Sequence, residues 1–133
     1  MAGMSSAWWA FQECGWPSWL SLLAGLGGLA LSMIALGAAL FRARAAVLLS
    51  WLALSVALLP AALGAIGMTI GRARMDRAIA SGFVDPSQLA RIREEGYREA
   101  GSCVAVGGAF TALPLCFAIA ALAAAHSLRK RSV

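Results

Sequence analysis

Charge is missing from this chain where it would matter most. The runs 20–41, 45–71 and 102–125 contain no Asp, Glu, Lys, Arg or His. Charged residues make up 13% of the whole, against about a quarter in soluble domains, which places the chain outside that class. There is one histidine, His126, with no second His or acid near it to complete a metal site. No group of acid, base and nucleophile suggests a catalytic site, so the reading is of a non-enzyme with no cofactor. Proton and cation relays rest on buried ionisable side chains. Their absence from the apolar runs argues against an ion path contained in one copy. Residues 1–18 have no Lys or Arg and therefore lack the basic start of a secretory signal.

What is present is apolar length. Hydrophobic residues make up 61% of the chain, and each run exceeds the roughly 18 to 20 residues that cross a hydrocarbon layer. Backbone groups in lipid must be satisfied within the segment, so the runs are expected to be helices. The fold class expected is an all-α integral membrane protein with three transmembrane helices. The division is 1–18, an interfacial segment; 19–41, 45–71 and 102–126, the spans; 72–101, an extramembrane helical connector; and 127–133, a basic tail. The net charge of +5 comes from residues at span ends and in the connector. These do not form the aromatic-interleaved basic patch of a nucleic-acid site.

Trp8, Trp9, Phe11, Trp16 and Trp19 suit a membrane interface, so a short interfacial helix is expected there. Span one is rich in small residues, and Ala24 and Gly28, four apart, mark a face for close helix packing. Ser21 and Ser32 are expected to bond back to their own helix. Arg42 and Arg44 mark a water boundary. Span two carries Pro60, which removes a backbone hydrogen bond and should kink it. Gly64, Gly67 and Gly71 follow, forming either a tight helix contact or a pore-lining strip, the contact being favoured. Span three contains Gly107, Gly108, Thr111, Pro114 and Cys116; Pro114 repeats the kink argument, and Cys116 is expected to be a small core residue.

The connector reads as helix on both sides of a turn. Residues 72–81 continue the helical pattern and Gly82 is a stop. Asp85, Pro86 and Gln88 then read as a cap, a first helical position and the partner in a capping box. Span three should therefore begin as a helix outside the lipid, so that spans two and three form one tall helical hairpin. Positive-inside counting sets Arg42, Arg44, Arg129, Lys130 and Arg131 against six connector arginines and does not choose an orientation. Cys14 and Cys103 fall near the same membrane face in either orientation. They are a possible disulfide if that face is oxidising, although spacing alone does not bring their Cα atoms into range.

At the hairpin the sequence resembles the MotA/TolQ/ExbB proton-channel family, the larger stator subunits of ion-driven membrane motors. The motif L-G-x-x-G-T-x-x-G of the family's second span is similar to Leu63-Gly64-Ala65-Ile66-Gly67-Met68-Thr69-Ile70-Gly71. The motif E-A-x-x-x-T-A-x-G entering its third span is similar to Glu99-Ala100-Gly101-Ser102-Cys103-Val104-Ala105-Val106-Gly107, with Pro114 close to the family's proline. The family's two pore threonines fall on Met68 and Val104, with Thr69 and Thr111 nearby. Its cytoplasmic insert between spans one and two is reduced here to a turn. The resemblance implies self-assembly as a pentamer-like ring around a single-span membrane partner carrying an intramembrane Asp. It also implies a bacterial inner membrane with the N-terminus and connector on the periplasmic side. Gly64, Gly67, Met68, Thr69, Gly71, Val104, Gly107, Gly108 and Thr111 are then the pore-lining or helix-packing candidates. The alternative is a non-conducting structural accessory subunit of a larger membrane complex.

Overall fold

The computed structural model describes residues 2–41, 45–82, 85 and 87–130, with side chains described for 8–41, 45–82, 85 and 87–128. Five helices follow one another: α1 (Ala2–Cys14), α2 (Trp16–Leu40), α3 (Ala46–Ala57), α4 (Leu59–Ala80) and α5 (Leu89–Lys130). There is no strand among the described residues. Three stretches, Trp16–Leu40, Ala46–Ala80 and Leu89–Leu128, are long and apolar enough to cross a membrane. The chain is an all-α membrane protein, with α3 and α4 together making the second span. Arg42, Arg44, Pro86 and the side chains of the tail's basic residues Arg129, Lys130 and Arg131 lie outside the described residues.

Residue size, rather than polarity, carries the packing pattern. The buried residues of α2 include Ser18, Ser21, Gly25, Gly28, Ser32, Ala35 and Ala39, in strict alternation of three and four. The second span repeats it with Ala46, Ser50, Ala53, Ala57, Pro60, Gly64 and Gly67. In α5 the buried stripe is Gly96, Ala100, Cys103, Gly107, Thr111, Pro114, Ala118, Ala121 and Ala125, with one extra four-residue step at Gly107–Thr111, and Val106 is buried beside it. A 3.5-residue period keeps one stripe facing its neighbours and gives a left-handed supercoil, and an added four-residue step relaxes it locally. Leucine, isoleucine and tryptophan are turned outward, among them Leu23, Ile34, Leu48, Trp51 and Ile119. Lipid tails are as apolar as leucine, so the helices gain by close backbone approach and not by hiding large side chains. The contact face of span one is thus Ser21, Gly25, Gly28 and Ser32. Ala24 of the expected pair stands half-buried beside it.

The buried hydroxyls are all satisfied among the described residues. Ser32 donates to the Gly28 carbonyl at 2.7 Å and Ser50 to Ala46 at 2.8 Å, each within its own helix. Ser21 differs from expectation. Its hydroxyl reaches across to the Pro60 carbonyl of the second span at 3.5 Å.

The two prolines behave differently. Helical pairing stops at Leu58 and restarts with Pro60 in the first turn of α4, so the expected kink is a break between two helices. Pro114 is accommodated inside an unbroken α5. Each proline deprives the carbonyl four residues earlier, Val56 and Phe110 respectively, of its usual helical amide partner, and the Val56 oxygen accepts from the Leu58 amide instead. Both carbonyls meet glycines of α2. A Cβ on Gly28 would lie 3.5 Å from the Val56 oxygen, and one on Gly25 would lie 3.1 Å from the Phe110 oxygen. Contacts of Cα–H with carbonyl oxygen are a recognised small contribution at such crossings.

Beyond the lipid the hairpin continues as expected. α4 runs to Ala80 and is terminated by Gly82 at φ +76°, a conformation suited to glycine just past a helix end. The Asp85 carboxylate accepts from the Ser87 amide at 2.9 Å and from its hydroxyl at 2.8 Å, which holds its pKa below the ordinary value. This caps a turn before Leu89. The described hydrogen bonds do not include the expected return bond from the Gln88 side chain. At 42 residues α5 is roughly 60 Å long, about twice the hydrocarbon thickness.

One cluster ties the two arms together outside the membrane. Tyr97 donates to Asp76 at 2.9 Å, Arg93 lies 3.8 Å from the same carboxylate, and the Arg72 guanidinium sits 5.3 Å above the Tyr97 ring. The bond to Asp76 raises the Tyr97 pKa. Its folded-state pKa lies above the unfolded value near 10, so the stabilisation is complete below about pH 10 and is lost as pH rises further. Tyr97→Phe is expected to speed amide exchange in 72–80 and 89–97 and leave exchange in the spans unchanged. Equal acceleration throughout would show that the cluster is not a local lock.

Candidate functional site

The glycines of the two motif-like stretches meet inside the hairpin. A methyl group on Gly64 would collide with the Cys103 carbonyl oxygen, and one on Gly107 would lie 2.5 Å from the Pro60 oxygen and 3.0 Å from the Gly64 Cα. Gly67 faces the Cys103 side chain and Pro17, with a Cβ there 3.2 to 3.3 Å from each. Gly71 abuts Ala100 at 3.0 Å on the same construction, and Met75 covers Gly96. Gly64, Gly67, Gly71 and Gly107 are therefore helix-packing residues within one chain. Thr111 joins the seam, its hydroxyl bonded to the Gly107 carbonyl at 2.9 Å.

Met68, Val104 and Gly108 fall elsewhere. Each stands one position after a seam residue: Gly67, Cys103 and Gly107. On antiparallel helices that offset turns all three to the same flank of the pair, given about 100° per residue. Phe110, one position before Thr111, looks to the other flank, where Gly25 of α2 covers it. Val104 is 43% exposed, Gly108 has open space where a Cβ would be, and Met68 is half-buried. Thr69 is exposed and donates its hydroxyl to the Ile66 carbonyl at 2.8 Å. The hydroxyls closest to the matched pore positions are thus donated to their own helices.

No known family model, curated protein or solved structure matches this chain. The site accordingly rests on its own geometry.

Cys14 and Cys103 form a disulfide, with Cα atoms 4.9 Å apart. It fastens the corner between α1 and α2 to the top of span three. The turn at that corner places Gly15 at φ +70°, which an L side chain adopts only with strain. Ser18 donates to the Phe11 carbonyl at 2.8 Å across the turn, and the Phe11 ring meets Trp19 and Phe110 edge-on at 5.1 and 6.3 Å. Ala10 and Phe11 share a small apolar groove with Ala105, Val106, Ala109 and Phe110. The N-terminal helix, expected at the interface, hence docks along the upper part of span three, drawn there by the disulfide and Phe11. Cys116 is an unpaired thiol on the outer face of α5, where a small core residue was expected. Among the described residues no group of His, Cys, Asp or Glu is arranged to hold a metal ion.

Sequence reading missed the contributions of Pro17, Ser18, Ser21 and Gly25. The available signal was the alternation of three and four among small residues in all three spans.

Proposed function

We propose that the protein is a ring-forming membrane subunit of the MotA/TolQ/ExbB stator type, assembling through the hairpin flank that carries Met68, Val104 and Gly108. The observation behind this reading is the division of the motif residues. Gly64, Gly67 and Gly107 serve the fold of one copy, whereas the residues at the family's pore positions lie on the opposite flank, half-buried at Met68 and exposed at Val104. Such a flank is available to neighbouring copies in a pentamer-like ring or to a single-span partner bearing an intramembrane Asp.

The disulfide supports the orientation. Disulfides persist in oxidising compartments, and with three spans the N-terminus and connector share the face of Cys14 and Cys103. That face is then the periplasmic one of a bacterial inner membrane. With Val104 and Met68 in place of hydroxyl-bearing residues, the subunit is a scaffold, and any travelling proton is carried by the partner's acid. The second reading, a structural accessory subunit in a larger complex, draws on the completeness of the seam within one chain.

Native mass spectrometry of the protein extracted in mild detergent from its own membrane tests the proposal. Several copies in one assembly, reduced to single copies by Gly108→Leu with unchanged helix content, is the expected result. A single copy held among unrelated large subunits would replace the ring with the accessory reading.

A further inference from the structure

Between the α1–α2 corner and the rising hairpin lies an open cleft of about 450 Å³. That is within the roughly 300 to 1,000 Å³ of small-ligand sites. Its floor is apolar, with Gly67, Ile70, Ala100 and the Cys14–Cys103 bridge among its residues, and Trp16 stands in its wall. Three charged residues line it: Glu13, Arg74 and Glu99. The ion pairs among the described residues are Arg91–Glu95 and Arg93–Asp76, so none of the three lies within 4.0 Å of an opposite charge among those residues. Glu13 just precedes span one, Arg74 follows Gly71 at the end of the apolar part of span two, and Glu99 just precedes span three. All three therefore lie at the depth of the lipid headgroups, on the side of the disulfide.

We infer that this cleft binds the headgroup of a zwitterionic aminophospholipid, with the ammonium at the carboxylates of Glu13 and Glu99 and the phosphate at the Arg74 guanidinium. Guanidinium matches phosphate geometry through paired N–H donors. Two acids beside one base give the site a net negative charge, which favours an ammonium and disfavours a headgroup carrying only phosphate. The apolar floor receives the glycerol end, and the ligand is supplied by the surrounding leaflet. This inference is independent of the ring: it needs only the three spans and the corner.

The test is native mass spectrometry of the detergent-solubilised full chain with equal amounts of phosphatidylethanolamine or phosphatidylglycerol. One phosphatidylethanolamine is expected to be retained, with about tenfold preference over phosphatidylglycerol. The double variant Glu13→Gln/Glu99→Gln should lose that preference, and Arg74→Gln should weaken retention of both lipids. Each variant is compared at matched helix content and with the disulfide confirmed on a non-reducing gel. Equal retention of the two lipids by the natural sequence would overturn the inference, as would undiminished preference in the double variant. Soluble glycerophosphoethanolamine displacing the lipid at equal concentration would overturn the assignment of a bilayer ligand.

Discussion

Gly107→Ala is expected to destabilise the protein by about 2 kcal/mol or more, although alanine is the better helix former. Glycine to alanine inside a helix is favourable by up to about 1 kcal/mol. Here the added methyl would lie 2.5 Å from the Pro60 carbonyl oxygen and 3.0 Å from the Gly64 Cα. Both neighbours are backbone, so relief requires two helices to separate, and overpacking of this kind costs about 1 to 3 kcal/mol or more. Gly64→Ala meets the same crossing from the other side. The two effects should therefore combine non-additively, since the first methyl already parts the helices. Gly27, Gly37 and Gly108 have open space at the Cβ position, and alanine at each is expected to be neutral or mildly stabilising. Unfolding in a detergent titration, followed by circular dichroism, separates the cases. If Gly107→Ala proved as stable as Gly108→Ala, the tight hairpin crossing would be wrong.

The same contrast explains what was legible in the sequence. Span number, the tall hairpin, the stop at Gly82 and the disruption at Pro60 follow from apolar length, charge placement and backbone chemistry, all of which are local. The seam was harder to see. In soluble helices polarity alternates with the buried face, but in these spans nearly every position is apolar, and the periodic quantity is side-chain volume. Four-residue pairs such as Ala24 and Gly28 catch part of that pattern and misplace the face by one position. Which glycines serve the fold and which lie open was not readable either. Gly107 and Gly108 are adjacent and chemically identical, and only the position of the partner helix tells them apart. Pro60 and Pro114 are a similar pair. Both lose a backbone bond, yet one ends a helix and the other sits within one, and the carbonyls four residues before them, Val56 and Phe110, lie against Gly28 and Gly25 of α2.

Removing the disulfide by Cys14→Ser or Cys103→Ser is expected to have the other large effect. The bridge joins residues 89 apart in sequence, enclosing α2, α3 and α4. Long closed loops give the largest constraint on the unfolded chain, with typical stabilisation of about 2 to 4 kcal/mol. The native consequence is local, because α2, α4 and α5 remain joined by the glycine and alanine seam while α1 is held by the packing of Ala10 and Phe11 on α5 and by the Ser18 hydrogen bond. Either serine variant should therefore lower the unfolding midpoint and expose the α1–α2 corner to protease, leaving the three spans assembled. Reductant should reproduce this in the natural sequence and leave the serine variants unchanged. The chemical state of the pair also reports orientation. In membranes quenched with acid at harvest, Cys14 and Cys103 should resist alkylation until reduced, since a bridge forms only where the connector faces an oxidising compartment. Two free thiols at that moment would place the connector on the reducing side. The proposed periplasmic orientation would then be reversed, and the arginines of the connector would become the inside-facing charge of the molecule.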